Sequence, residues 1–320
     1  MDYIAMATYA ALFTAGVAVL AVYVALHTPG ALSLRELIFP RVERTIRGEV
    51  ASIFIHPLFW IAATGICTLF IVSLLFTTSN ASLAYEWLLF AASVIGMFAI
   101  VNTVAVWFFE GKLHEPLRFV IGSLCYGALC ALAAFLFNTL LGAWLGNAVD
   151  QKTGLLVLLT LAPFIEEFLK MLGVVAFSGH RMFRGTLDGI LVGFSIGVGF
   201  ALTENMFYII TKIPAHSVDL LMFRALYNTI AHGAFTAIGG AVLGKIKARF
   251  GNINLFFALI AAMVAALVHV AFNILAIVDI VGVSSLEFGY YIFSPALSIS
   301  LLLIVLYLIY YAKKTEKVQN

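Results

Sequence analysis

Apolar residues in this chain come in long runs, separated by short stretches rich in charge, glycine or proline. A bilayer core of about 30 Å takes about 20 helical residues to cross. Nine runs reach that length, at roughly 4–26, 54–76, 87–109, 119–141, 154–177, 187–210, 223–243, 255–278 and 289–311. The pattern predicts an all-α fold, a polytopic transmembrane helix bundle of about nine spans. No soluble domain fits between the runs. The longest loop, about 27–53, mixes Arg with Glu and is expected at the membrane surface. Met1 to Leu26 lacks a basic leading segment, which predicts a retained span rather than a cleaved signal peptide.

Composition agrees with this reading. The chain is 63% hydrophobic and 11% charged, and a soluble domain of 320 residues cannot hide so much apolar surface. Lipid is therefore the expected solvent, in a bacterial or archaeal plasma membrane. The net charge of +2 is small and says nothing about nucleic acid, but no basic run is long enough to track a phosphate backbone, so no nucleic-acid partner is expected. Cys67, Cys125 and Cys130 all fall in apolar runs, with no CxxC, so they read as packing residues rather than a disulfide framework.

Charge also orients the bundle. Arg35, Arg41, Arg44 and Arg47 lie in the first loop, Lys112 and Arg118 in the third, and Arg181 and Arg184 in the fifth. Lys245, Lys247 and Arg249 lie in the seventh, and Lys313, Lys314 and Lys317 in the tail. With nine spans these segments share one side. The other side carries Lys152, Lys212 and Arg224. By the positive-inside rule the N-terminus is outside and the C-terminus cytoplasmic.

Charges within the hydrocarbon cost a few kcal/mol each and mark function by default. Glu166, Glu167 and Lys170 lie in the fifth span and Glu204 in the sixth. His232 and His269 lie in the seventh and eighth, accompanied by Asn205 and Asn273. At about 1.5 Å per residue, Glu204 is about 9 Å from the outer end of its span, the two histidines about 14 Å and Glu166 about 18 Å. One layer in the outer half of the membrane thus holds all of them. Two imidazoles and a carboxylate, from His232, His269 and Glu204, make a Zn²⁺ site of the catalytic type, with a position left for water. A second carboxylate is then needed as general base, and Glu166 is available. Asn273 shares a face with His269 and could orient a ligand or donate to an oxyanion. Lys170 could neutralise one of the paired carboxylates.

Plainer readings accompany each residue. A lone buried histidine is commonly an interhelical hydrogen-bonder. Glu166 and Glu167 are about 100° apart on a helix, so one of them could be structural, paired with Lys170 or Arg224. Asn205 suits packing as well as catalysis. Gly189, Gly193 and Gly197, spaced by four, form a close-packing face. The GxSxG around Ser195 lies mid-helix, where a nucleophile elbow cannot form.

Taken in order, the polar patches are Glu166-Glu167-Phe168-Leu169-Lys170 (EExxK), Phe200 to Glu204-Asn205 (FxxxEN), Phe223-Arg224 followed by His232, and His269 to Asn273 (HxxxN). This series resembles the PrsW family of intramembrane proteases, part of the group that includes the CAAX prenyl proteases, over about residues 160–275. The resemblance implies that Glu166 activates water, that Glu167 supports it, and that His232 and His269 hold a metal. Glu204 stands where the prenyl proteases carry a histidine. The resemblance also implies a first cut, on the extracytoplasmic side, in a membrane-anchored protein such as an anti-sigma factor. The chain accordingly divides into accessory helices at 1–150, a catalytic helix core at 151–280, and a last span with a cytoplasmic tail at 281–320. The alternative is a secondary transporter or ion channel that uses the Glu, His and Lys residues as a relay, although no repeat of the transporter kind is visible. HExxH is absent, as is the Tyr-Asp and Gly-x-Gly-Asp pair of aspartyl intramembrane proteases.

Overall fold

The computed structural model describes residues 59–66, 81–110, 117–180, 183–211, 218–282 and 288–316. The expected span at 4–26, the loop at 27–53 and most of the span at 54–76 lie outside them; residues 59–66 are helical. The described elements are α1 (Ala81–Glu110), α2 (Leu117–Ala148), α3 (Gln151–Ser178), α4 (Thr186–Thr211) and α5 (Val218–Met222). A π-helical segment (Phe223–Asn228) follows, then α6 (Thr229–Phe250), α7 (Leu255–Gly282) and α8 (Phe288–Glu316). Among the described residues no strand occurs. Every apolar run from 87 onward falls on a helix, because in lipid only helical hydrogen bonding satisfies the backbone within one segment.

Five of these helices are long and apolar enough to cross a membrane: α1, α2, α4, α7 and α8. The two other long helices, α3 and α6, are the more polar ones. α3 holds two glutamates and a lysine within five residues, and α6 holds His232 among small and hydroxyl-bearing residues. The protein is an integral, multi-pass membrane protein.

α4 sits at the centre. Of its apolar window 89% is buried, against 28% in α1 and in α8, whose outer faces meet lipid. It packs most extensively on α6 and then on α2. Glycine is what permits this. A methyl on Gly189, Gly193 or Gly197 would run into the backbone carbonyls of Gly240, Thr236 and His232 respectively, and one on Gly199 into that of Leu124 in α2. Close backbone approach is how helices gain dispersion contact in lipid, where no hydrophobic drive joins them. Ser195 is fully buried and donates to the Leu191 carbonyl at 2.9 Å, so the GxSxG match is helix interior.

The ends of α4 and α8 are tied. Asp188, in the first turn of α4, accepts from the backbone N–H groups of Arg184 and Gly185, where a carboxylate also suits the helix dipole. Lys313 Nζ donates to the Phe109 carbonyl, so α1 and α8 finish on the same side of the bundle.

Candidate active site

Four helices and the π segment bring the charged and imidazole groups together. Pro163 stands inside α3, three residues before Glu166. Past it, Glu166 and Glu167 leave the helix in different directions, as their angular separation requires.

Glu167 is fully buried and fully engaged. Its Oε1 accepts from Lys170 Nζ at 2.7 Å and from His269 Nδ1 at 3.1 Å, and its Oε2 accepts from Thr236 at 3.0 Å. Lys170, equally buried, also lies over the Phe200 ring at 3.8 Å and donates to His232 Nδ1 at 3.1 Å. A charge this deep is tolerable only when paired and hydrogen-bonded, and here both members are.

The two imidazoles meet edge to face, with centroids 4.8 Å apart. Phe200 stacks on His232 and Phe235 on His269, which fixes both ring planes. His269 Nδ1 faces the Glu167 carboxylate, an arrangement that in a neutral ring puts the proton on Nδ1 and leaves Nε2 as the acceptor. His232 accepts at Nδ1 from Lys170, so its Nε2 carries the proton and donates to Glu204 Oε2 at 3.1 Å.

Glu204 is held from the other side. Arg224 Nη2 donates to its Oε2 at 2.9 Å and Asn228 Nδ2 at 3.2 Å. Both donors come from the π segment, which is itself clamped by the fully buried Asn205. Asn205 Nδ2 donates to the Arg224 carbonyl at 2.8 Å, while its Oδ1 accepts from Arg224 Nε at 3.0 Å and Asn228 Nδ2 at 2.9 Å. Arg224 also lies 3.6 Å from the centre of the Tyr208 ring. A π turn is rare and concentrates at functional sites; here it delivers two donors to one carboxylate oxygen.

Glu166 differs from its neighbour. Oε1 accepts from Asn138 Nδ2 of α2 at 3.0 Å, while Oε2 is buried without a partner and lies 4.0 Å from His269 Nδ1. Glu166, His232 and His269 each offer a ligand atom, and these atoms all lie within 4.8 Å of one another. Glu204 reaches this trio through His232. Asn273, half-buried one turn beyond His269, makes no hydrogen bond to another described residue.

All nine residues singled out in the sequence fall on the helices bordering this site. Asn138, Asn228, Thr236 and Thr229, whose hydroxyl accepts from Asn205 Nδ2 at 3.2 Å, were missed. Asn228 and Thr236 stand four residues before and after His232, so helical spacing alone could have found them. Asn138, on a separate helix, gave only the signal of an amide in an apolar run.

The PrsW family model, described as intramembrane metalloprotease, matches residues 115–308. Relatives named Protease PrsW include those of Geobacillus kaustophilus, 31% identical over 134 residues (42% of this chain, 56% of the relative), and Bacillus subtilis, 30% over 111 residues (34% and 49%). That of Clostridioides difficile is 27% identical over 190 residues (58% and 76%). The chain spans about half the length of the first two relatives. No solved structure matches. The family match is wider than the motif series, taking in α2 and most of α8, the helices that enclose the polar layer. With more than half of its length inside that match, and the buried Glu–His–His group at the centre of it, the chain belongs to the PrsW family.

Proposed function

We propose that this chain is a glutamate-dependent intramembrane metalloprotease that cuts membrane-anchored protein substrates. The observation that carries the reading is Glu166 Oε2. It is a buried carboxylate oxygen with no hydrogen-bond partner, beside two histidines whose ring planes are locked. The donor set suits zinc, with imidazole and carboxylate groups backed by an outer shell of Glu167, Arg224 and Asn228. Donors on one tetrahedral zinc lie about 3.3 Å apart for bonds near 2.0–2.1 Å. Glu204 Oε2 and His232 Nε2 are 3.1 Å apart. His232, His269 and Glu204 would hold the ion, and His232 would have to give up its Nε2 proton to do so. A divalent cation there supplies Lewis acidity, polarising a carbonyl and acidifying water.

The protein's own groups do the rest. Glu166 Oε2 takes the proton of the attacking water and delivers it to the leaving amide nitrogen. Glu167 stays ionised between Lys170, His269 and Thr236 and orients His269. Asn273 donates to the oxygen on which charge develops. Nine spans, with the N-terminus outside and residues 151–280 as the catalytic core, would put the cut near the extracytoplasmic face. The shared end of α1 and α8 supports that alternation. A single-span protein such as an anti-sigma factor is the substrate class we infer.

The test is purified full-length chain, assayed for bound zinc and for cleavage of a single-span substrate. Wild type should hold about one zinc per chain and cut, His232→Ala should lose the zinc, and Glu166→Ala should keep it but not cut. Cleavage undiminished in both variants would remove the mechanism. Zinc-free protein whose ion flux disappears in Glu204→Gln would favour the relay instead.

A further inference from the structure

The site contains an amide that nothing above gives a role. Asn138 lies on α2, outside the four polar patches, and its Nδ2 donates to Glu166 Oε1 at 3.0 Å. Its Oδ1 is buried with no partner, as is the far oxygen of Glu166. Those are two of four such atoms among the described residues, and they belong to one bonded pair. An amide placed only to glue α2 to α3 would gain from satisfying both its ends. Here one end is left unmet and the other is spent on a site carboxylate whose far oxygen is buried and accepts no hydrogen bond.

The consequence is directional. A carboxylate at the end of a glutamate side chain rotates about a broad torsion. One hydrogen bond to Oε1 removes that freedom and fixes where Oε2 points. We propose that Asn138 is a positioning residue for Glu166, holding its carboxylate so that Oε2 faces the His232–His269 pair. The inference rests on the proteolytic reading. Asn138 touches none of the three proposed metal ligands by hydrogen bond and needs no contact with substrate.

Three variants in the full chain test it, with kcat and KM, bound zinc and thermal midpoint measured on each. Asn138→Leu removes the donor while keeping the branching and the number of side-chain heavy atoms. Asn138→Asp keeps the shape but, when ionised, offers only acceptors. Asn138→Gln keeps the donor on a longer arm. Removal of the donor should lower kcat by about 10- to 100-fold with KM within about twofold, as for other outer-shell partners of catalytic groups. Zinc content and thermal midpoint should stay at wild-type values in Asn138→Leu. Asn138→Asp should be at least as impaired, and Asn138→Gln should recover part of kcat. Wild-type kcat in Asn138→Leu and Asn138→Asp overturns this inference alone. So does a fall in kcat that merely tracks a lowered midpoint. A wild-type chain that holds zinc and cuts nothing overturns the proteolytic reading, and this inference with it.

Discussion

At Glu167 three donors converge on two oxygens, and at Glu166 a single donor leaves one oxygen open. Substitution of each by its isosteric amide should therefore fail in different ways. Glu166→Gln removes only a proton acceptor, so cleavage should fall by about 100-fold or more, with zinc content and thermal midpoint unchanged. Glu167→Gln strips the buried Lys170 ammonium of its counter-charge, and breaking a buried pair from one side costs about 3–5 kcal/mol. That variant should accumulate poorly and unfold at a much lower temperature. The double change Glu167→Gln/Lys170→Met should regain most of the lost stability and none of the activity. Equal stability of the two single variants would refute this division of labour. The motif residues were legible because charge is so expensive in lipid that few explanations compete for it. Asn138 was not, because neutral polar groups in spans ordinarily serve packing, and Thr236 and Asn228 were open only to a reading of their spacing from His232. Geometry, which adjacent letters cannot show, assigned Lys170 to Glu167 rather than to Glu166.

Among the elements, the contact of α4 with α6 sets the height and rotation of His232. Gly197 lies directly against the His232 backbone carbonyl, so any side chain there pushes α6 away from α4. Gly197→Ala should cost about 1–3 kcal/mol through overpacking and should reduce bound zinc, because the imidazole moves with its backbone. Gly146→Ala is the control. That glycine, in α2, has nothing within 4 Å of where a Cβ would stand, and alanine there should be neutral or up to about 1 kcal/mol stabilising. Melting curves in detergent separate the two, and matching midpoints would show that the glycine stripe does not set the approach. The stripe itself was visible as a spacing of four. The π segment was not. An extra residue in one turn leaves an apolar run just as apolar, so the run beginning at 223 gave no hint that Arg224 and Asn228 would share an oxygen of Glu204.

For the whole molecule, alternation of the helices is open to a direct test. In a chain whose own cysteines are replaced by alanine, Asn252→Cys and Lys314→Cys should react with an impermeant thiol reagent from one side of the membrane. Asn147→Cys should react from the other, and labelling of all three from one side would break the nine-span scheme. The described bundle is also cross-tied at one layer. Groups from α3, α4, α6 and α7 reach the polar layer, so a cation bound there links elements far apart in the chain. Ligand bound only by the folded state stabilises it by RT ln(1 + [L]/Kd), about 4 kcal/mol at 1,000 times Kd. Chelation should therefore lower the thermal midpoint of the wild-type protein and abolish cleavage, and added zinc should restore both. His232→Ala and His269→Ala should melt at one temperature with or without zinc, since each removes a ligand. Glu166→Gln should keep the zinc-dependent shift, because the proposed mechanism assigns Glu166 proton transfer and gives the ion to His232, His269 and Glu204. A shift that vanished in Glu166→Gln but survived in Glu204→Gln would make Glu166 the third ligand, and the base would then have to be sought elsewhere among the groups bordering the site.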